Sequence, residues 1–372
     1  MNKERDIGKQ NMRLTLVLWT VLCSVSMALM LWFSATKTIV IADAAQEDTE
    51  SVSEPVFEKP VIQTRNVVLN NESGADGRFY VVLPEDVKAE HVTMENRYWD
   101  LELRIRIKCN PTDFYNTCTI AGDVSAIESS VCEMKADGIL LRVKMKNLLE
   151  YRSTMEGKRL VLAYYNPREL YDMIVLLDPA GGGEQTGHVG TAVSLQTGEI
   201  SGEIYEKDVT LQVARLVQKN LALDGVKVYL TRAEDVMITD ERRLAFLEET
   251  KADFYIRLEA NAHEESDRYG ITGRYNGAYF MPDFGNVQLA DVLTKEVTIA
   301  TSNRAEGVYL IKEDSILNQI KVPAAEIVIG YFTNDTEREL LGQAVYREKL
   351  AAGIINAITK VKEILTESGA GK

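Results

Sequence analysis

Histidine is scarce in this sequence. His91, His188 and His263 are the only three in 372 residues. Zinc sites prefer several nitrogen or sulfur donors, so an imidazole-rich metal centre has little to draw on. Cysteine is scarce too. Cys23, Cys109, Cys118 and Cys132 are too few for a dense disulfide framework, and none stands in a CxxC spacing. One pair among the last three could oxidise, or all could simply pack in a core. Positive charge is in deficit: 42 Lys and Arg against 56 Asp and Glu give a net charge of -14. That excludes a broad nucleic-acid surface, which needs a positive field. A nucleotide-binding lysine is missing as well. Gly182 and Gly187 have the glycine spacing of a phosphate loop, but His188 and Val189 follow instead of Lys and Ser or Thr. Gly181, Gly182, Gly183 and Gly187 also fail the GxGxxG pattern, so neither nucleotide fingerprint is present.

One long uncharged run is present. LTLVLWTVLCSVSMALMLWF, residues 14–33, is long enough to cross a bilayer as a helix, and a transmembrane anchor is expected over 14–34. Lys3, Arg5, Lys9 and Arg13 precede it, offset by Glu4 and Asp6. The positive flank predicts a cytoplasmic tail over 1–13 and an extracytoplasmic remainder. Ala42-Asp43-Ala44 has the look of a signal-peptidase site. It lies far beyond the run, so a retained single-pass anchor in the cell membrane is the expectation. Residues 35–60 are acidic, small and proline-bearing. They predict a linker that buries little area.

Residues 61–168 read as a small β-rich domain. Leu101, Leu103, Ile105 and Ile107 alternate with Glu102, Arg104, Arg106 and Lys108, the period of a strand with one wet face. The runs at 67–69, 79–83, 139–145 and 159–165 are of similar type. Residues 169–364 read as α/β: strands at 173–178, 226–232, 252–262, 277–282 and 323–332 alternate with helical spacing at 208–223, 240–250, 287–301 and 338–362, the last with a break near Gly342. The expected fold is a mostly parallel twisted sheet with helices on both faces. Ligands then bind at the carboxyl ends of the strands, where Asp178, Glu259 and the end of 323–332 should converge.

Several short segments of this second domain occur in a telling order: DPAGGG at 178–183, EKD at 206–208, YLTR at 229–232, EANA at 259–262 and IVIGYFTN at 327–334. Together the region 173–360 resembles the zinc-dependent N-acetylmuramoyl-L-alanine amidases, which cut between the glycan and the stem peptide of peptidoglycan. The resemblance implies that zinc is held by a histidine in the first loop, a glutamate opening the first helix and a histidine at the EANA position. It also implies a catalytic glutamate in the last strand. Here those positions hold Gly181, Glu206, Glu259 and Val328. The resemblance further implies that Asp178 orients the loop and supports a ligand from behind; read as a residue alone it is a turn aspartate bonded to backbone N–H groups.

Amide hydrolysis by this route needs a Lewis-acidic metal and a proton acceptor. Two carboxylates without an imidazole make a poor zinc site and a better corner for calcium or magnesium, and valine moves no proton. No cofactor is expected, with the family's zinc lost. The expected function is a non-catalytic, membrane-anchored homologue that binds cell-wall peptidoglycan or an envelope-assembly protein in a bacterial envelope. One alternative is an active amidase with a rebuilt centre, using Glu206 and Glu259 with His188 or His263, and Glu326 as a displaced base. Another is a purely structural envelope domain. Arg257 or Arg274 could supply a counter-ion to the carboxylates. Arg232 and Asn334 are expected to tie loops.

Overall fold

The computed structural model describes residues 63–193, 197–198, 200–277, 284–312 and 315–368. The expected tail, anchor and linker over 1–60 lie outside the described residues. Among the described residues, no helix is long and apolar enough to cross a membrane. Val61–Lys372 forms one compact unit.

Residues 64–165 fold as two five-stranded sheets facing each other. Period-two alternation sends Leu103, Ile105, Ile107, Ile139, Leu141 and Val143 of one sheet inward against Phe79, Val81, Ile120 and Leu162 of the other. The basic face outside is neutralised in place. Arg104 and Arg142 both pair with Glu102, and Arg106 pairs with Asp137. Cys109, Cys118 and Cys132 are all free thiols, the latter two buried in this core.

The second region is built on a six-stranded sheet. Its strands are β1 (Met173–Pro179), β2 (Val226–Leu230), β3 (Phe254–Asn261), β4 (Ile271–Tyr275), β5 (Ala305–Leu310) and β6 (Ala324–Tyr331). They lie in the order β2-β1-β3-β6-β4-β5. Every pairing is parallel except β4 with β6. The helices are α1 (Glu206–Asn220), α2 (Asp240–Thr250), α3 (Asn286–Thr301), α4 (Asp335–Gly342) and α5 (Ala344–Ser368).

All seven residues of β1 are buried, as expected for a strand covered on both faces. Met173, Val175 and Leu177 pack against Val213, Leu293 and Ile354 of α1, α3 and α5. Ile174 and Leu176 point the other way, toward Phe246 and Leu247 of α2 and Trp99 of the β-rich region. Polar contacts reinforce that junction. Glu150 accepts from Tyr98 and Tyr229 at 2.9 and 2.7 Å, Lys227 lies 2.8 Å from the same carboxylate, and Arg97 pairs with Glu234 at 3.0 Å.

The strand expected at 277–282 falls, from residue 278 on, outside the described residues; β4 precedes it. β5 and an antiparallel hairpin of Val189–Val193 with Ile200–Tyr205 were not foreseen. Both are short and half-exposed or glycine-bearing, so their apolar alternation is weak. The break expected near Gly342 in the C-terminal helix is present: α4 ends at Gly342, Gln343 leaves helical geometry, and α5 starts at Ala344.

Candidate functional site

The site lies at the carboxyl end of β1, β3 and β6, on the sheet face toward α2. Strand register sets its centre. Asp178 of β1 stands opposite Arg257 of β3, Arg257 opposite Glu326 of β6, and Glu326 opposite Arg274 of β4. One row of alternating charge thus crosses four adjacent strands. Cross-strand neighbours on one face approach closely enough to interact, and here they do. Arg257 Nη1 donates to Asp178 Oδ2 at 2.7 Å, and Arg274 Nη1 donates to Glu326 Oε1 at 2.6 Å. Arg257 Nε donates to Glu259 Oε1 at 2.8 Å, two residues on along the same face.

Asp178 is fully buried. The turn reading gives it backbone partners. Its carboxylate instead accepts from four side chains: Thr231 Oγ1 at 2.5 Å, Arg243 Nε at 2.9 Å, Tyr255 Oη at 2.6 Å and Arg257. The reason is its position inside the strand, where neighbouring backbone groups are consumed by the sheet. Burial works against its charge, but Arg257 and Arg243, with Thr231 and Tyr255, outweigh it and hold the pKa below the ordinary aspartate value.

The glycine loop that follows is closed on itself. Gly182 and Gln185 exchange backbone hydrogen bonds, and Gly183 N–H donates to Asp235 at 2.7 Å. The amides of Gly182, Gly183 and Gln185 are therefore committed to protein acceptors rather than open to a phosphate. Arg232, fully buried, ties the loop down by donating to the carbonyls of Pro179, Ala180 and Lys207 at 3.1, 2.8 and 2.8 Å. Burial lowers its pKa to about 10. Gly181 has φ +73°, and a Cβ there would lie 2.7 Å from the Gln185 carbonyl oxygen and 3.0 Å from Lys207 Cβ. The loop conformation itself demands glycine at this position.

Glu206, first residue of α1, is buried beneath this loop. Both its oxygens are occupied: Oε2 accepts from His188 N–H at 2.9 Å and Oε1 from Ala260 N–H at 3.0 Å. Gly187 packs so closely that a Cβ would overlap Oε2. Burial raises the Glu206 pKa, with the two N–H donors opposing and the charge of Glu259 adding to the rise. Val328 is fully buried in β6, opposite Glu259 and Thr272. The His188 ring is exposed. His263 Nδ1 accepts from Glu265 N–H at 3.1 Å, and its Nε2 lies 2.9 Å from Arg268 Nη1. A guanidinium stands where a metal would have to bind. Among the described residues, no group of three or more His, Cys, Asp or Glu is placed to hold a metal ion.

The donor set does not suit zinc. Gly181 offers nothing, and Glu259 is paired with a guanidinium that would repel a divalent cation, which leaves Glu206 alone among the family's ligand positions. Asn334 caps α4, accepting from Glu337 N–H at 3.1 Å, and Arg232 ties a loop, as expected from sequence. Arg243 and Tyr255 were missed. A signal existed for Arg243, since it lies on the same helical stripe as Phe246, Leu247 and Thr250, all buried.

Glu326 gives the site a pH response. Burial, then the nearby Glu259 charge, push its pKa up to about 7 against the pull of Arg274 and Arg257. A carboxylate raised in the folded state contributes stability that is present below its unfolded value and lost as pH rises through the folded one. Thermal stability should therefore fall from about pH 4.5 to pH 7, by at most about 1.4 kcal/mol per pH unit. In E326Q that portion of the slope should vanish; an unchanged melting profile would refute the assignment.

The sequence pattern of N-acetylmuramoyl-L-alanine amidases matches residues 175–360, half of the chain. The chain is 29% identical over 212 residues to the germination-specific N-acetylmuramoyl-L-alanine amidase of Bacillus subtilis, covering 53% of this chain and 81% of that protein. It is 28% identical over 185 residues to the probable cell wall amidase LytH of Staphylococcus aureus, covering 50% of this chain and 56% of LytH. The catalytic domain of CwlV, an amidase from Bacillus (Paenibacillus) polymyxa var. colistinus, superposes with a TM-score of 0.45 at 23% identity, over 52% of this chain and 99% of that domain. By sequence pattern, the chain belongs to the N-acetylmuramoyl-L-alanine amidase family.

Proposed function

We propose that this chain is a membrane-anchored amidase homologue, exposed outside the cytoplasm, that binds cell-wall peptidoglycan or an envelope-assembly protein without cleaving the amide. The observation that carries this reading is the commitment of the site's carboxylates. Glu206 is satisfied by backbone N–H groups, Glu259 and Asp178 by Arg257, and the family's base position is an apolar valine. Among the described residues, the family's ligand and base positions thus leave no free imidazole and no carboxylate at 328 to polarise a carbonyl or take a proton from water.

A second reading has the named relatives in its favour, since they are amidases. In it the chain hydrolyses peptidoglycan through a rebuilt centre containing Glu206 and a loop histidine. Activity would then require His188 or His263 to swing in beside Glu206, whose oxygens each keep a lone pair beyond the N–H they accept.

One preparation separates the two. The full chain, purified in detergent, is expected to carry less than one zinc per molecule by elemental analysis and to release no stem peptides from purified sacculi. It should nevertheless sediment with sacculi if the glycan is the ligand. Release of stem peptides that a chelator abolishes would establish the second reading. Neither sedimentation nor release would leave a structural envelope domain.

A further inference from the structure

We propose that Arg257 is the resident cation of this cleft, and that the cleft is a guanidinium-binding site filled by the chain itself. Three carboxylates surround one guanidinium. Asp178 Oδ2 lies 2.7 Å from Nη1, Glu259 Oε1 lies 2.8 Å from Nε, and Glu326 Oε2 lies 3.9 Å from Nε. The side chains are 0%, 23% and 4% exposed, and that of Arg257 is 17% exposed. With two of these carboxylates almost wholly buried, the chain supplies the neutralising charge from within.

The shape of the cation matters as well as its charge. Asp178 and Glu259 sit on different strands, at opposite ends of the planar fork. A guanidinium reaches both with separate N–H donors held in one plane, whereas an ammonium is a compact point charge. The flanking residues serve the same arrangement. Tyr255 and Arg243 hold Asp178 from behind, and Arg274 holds Glu326 on its far side, so two of the three carboxylates are held independently of Arg257, while Glu259 is held by Arg257 itself. Acceptors held in advance lower the ordering cost of binding a ligand. The same occupancy closes the cleft to a divalent ion while Arg257 is present.

This inference shares with the proposed function the absence of a family-type zinc centre, but its test needs no hydrolysis. Its failure would therefore leave the sacculus assay unaffected. The full chain carrying R257A is expected to melt about 5 °C lower than wild type. Saturating ethylguanidinium should restore about half of that loss by binding the folded state alone. Ethylammonium at equal ionic strength should restore none. Equal recovery with ammonium, or no recovery with guanidinium, would overturn the proposal. R257K keeps the charge and loses the fork. It is expected to melt between the two and to gain nothing from ethylguanidinium; an R257K chain as stable as wild type would also overturn it.

Discussion

D178N is expected to cost about 3–5 kcal/mol of folding stability, the range seen when one member of a buried ionic network is removed. The geometry shows why a near-isosteric change is so damaging. Four donors converge on the carboxylate, two of them from arginines. Asparagine offers one acceptor oxygen, and whichever way the amide is turned its NH2 faces a guanidinium that only donates, since Arg243 bonds one oxygen and Arg257 the other. Arg243, with its side chain 4% exposed, would keep its charge without its principal partner. For a chain of this size the loss corresponds to a fall in melting temperature on the order of 10 °C. A D178N protein within about 1 kcal/mol of wild type would contradict the network as described.

The acid limb provides an independent check. Arg257 and Arg243 hold the Asp178 carboxyl below the ordinary aspartate range despite its burial. A depressed carboxylate contributes stability above its unfolded pKa, and that contribution is lost as pH falls through the folded value. Wild type should therefore lose stability below about pH 4, while D178N, already lacking the contribution, should show a shallower acid limb. Glu326 acts with the opposite sign between about pH 4.5 and 7. The two carboxylates can thus be told apart by where each mutant flattens the profile.

How much of this was legible beforehand depends on the kind of signal. The strands at β1, β3 and β6 announce themselves by buried apolar runs, and α2 by its spacing. Gly181, Glu206, Glu259 and Val328 were placed by the order of short segments, and the structure brings the last three to one end of the sheet. The charge row was not legible. Asp178, Arg257, Glu326 and Arg274 are scattered over a stretch of chain running from 178 to 326, and only register makes them neighbours. A one-residue slip of β3 would send Arg257 to the opposite face. Sequence could name Arg257 and Arg274 as candidate counter-ions, but the choice between Glu206, Glu259 and Glu326 as partner needed the pairing. Likewise, the two N–H donors to Glu206 come from backbone at 188 and 260, which carries no side-chain signature.

Restoring the family's residues at the substituted positions should fail, and for reasons of packing before chemistry. In the triple variant G181H/E259H/V328E each change meets a specific obstacle. At 181 the backbone is left-handed, and the new Cβ would press on the Gln185 carbonyl and on Lys207. That conformation alone costs a residue other than glycine about 1 kcal/mol or more. At 259 the change removes one partner of Arg257. At 328 it buries a carboxylate opposite Thr272, one strand step from Glu326, with no cation assigned to it. An unpaired buried carboxylate costs several kcal/mol or takes up a proton and so ceases to be a base. The sites are neighbours, so their effects will not add simply, but all point the same way. The triple variant is expected to melt on the order of 15 °C below wild type, and G181H alone to be destabilised; neither should release stem peptides from sacculi. A triple variant that folds as well as wild type, takes up one zinc and cleaves would mean that the glycine loop and the arginine row are incidental. Loss of stability on restoring the family's residues would instead indicate that this cleft has been rebuilt around an internal cation and no longer accommodates the older arrangement.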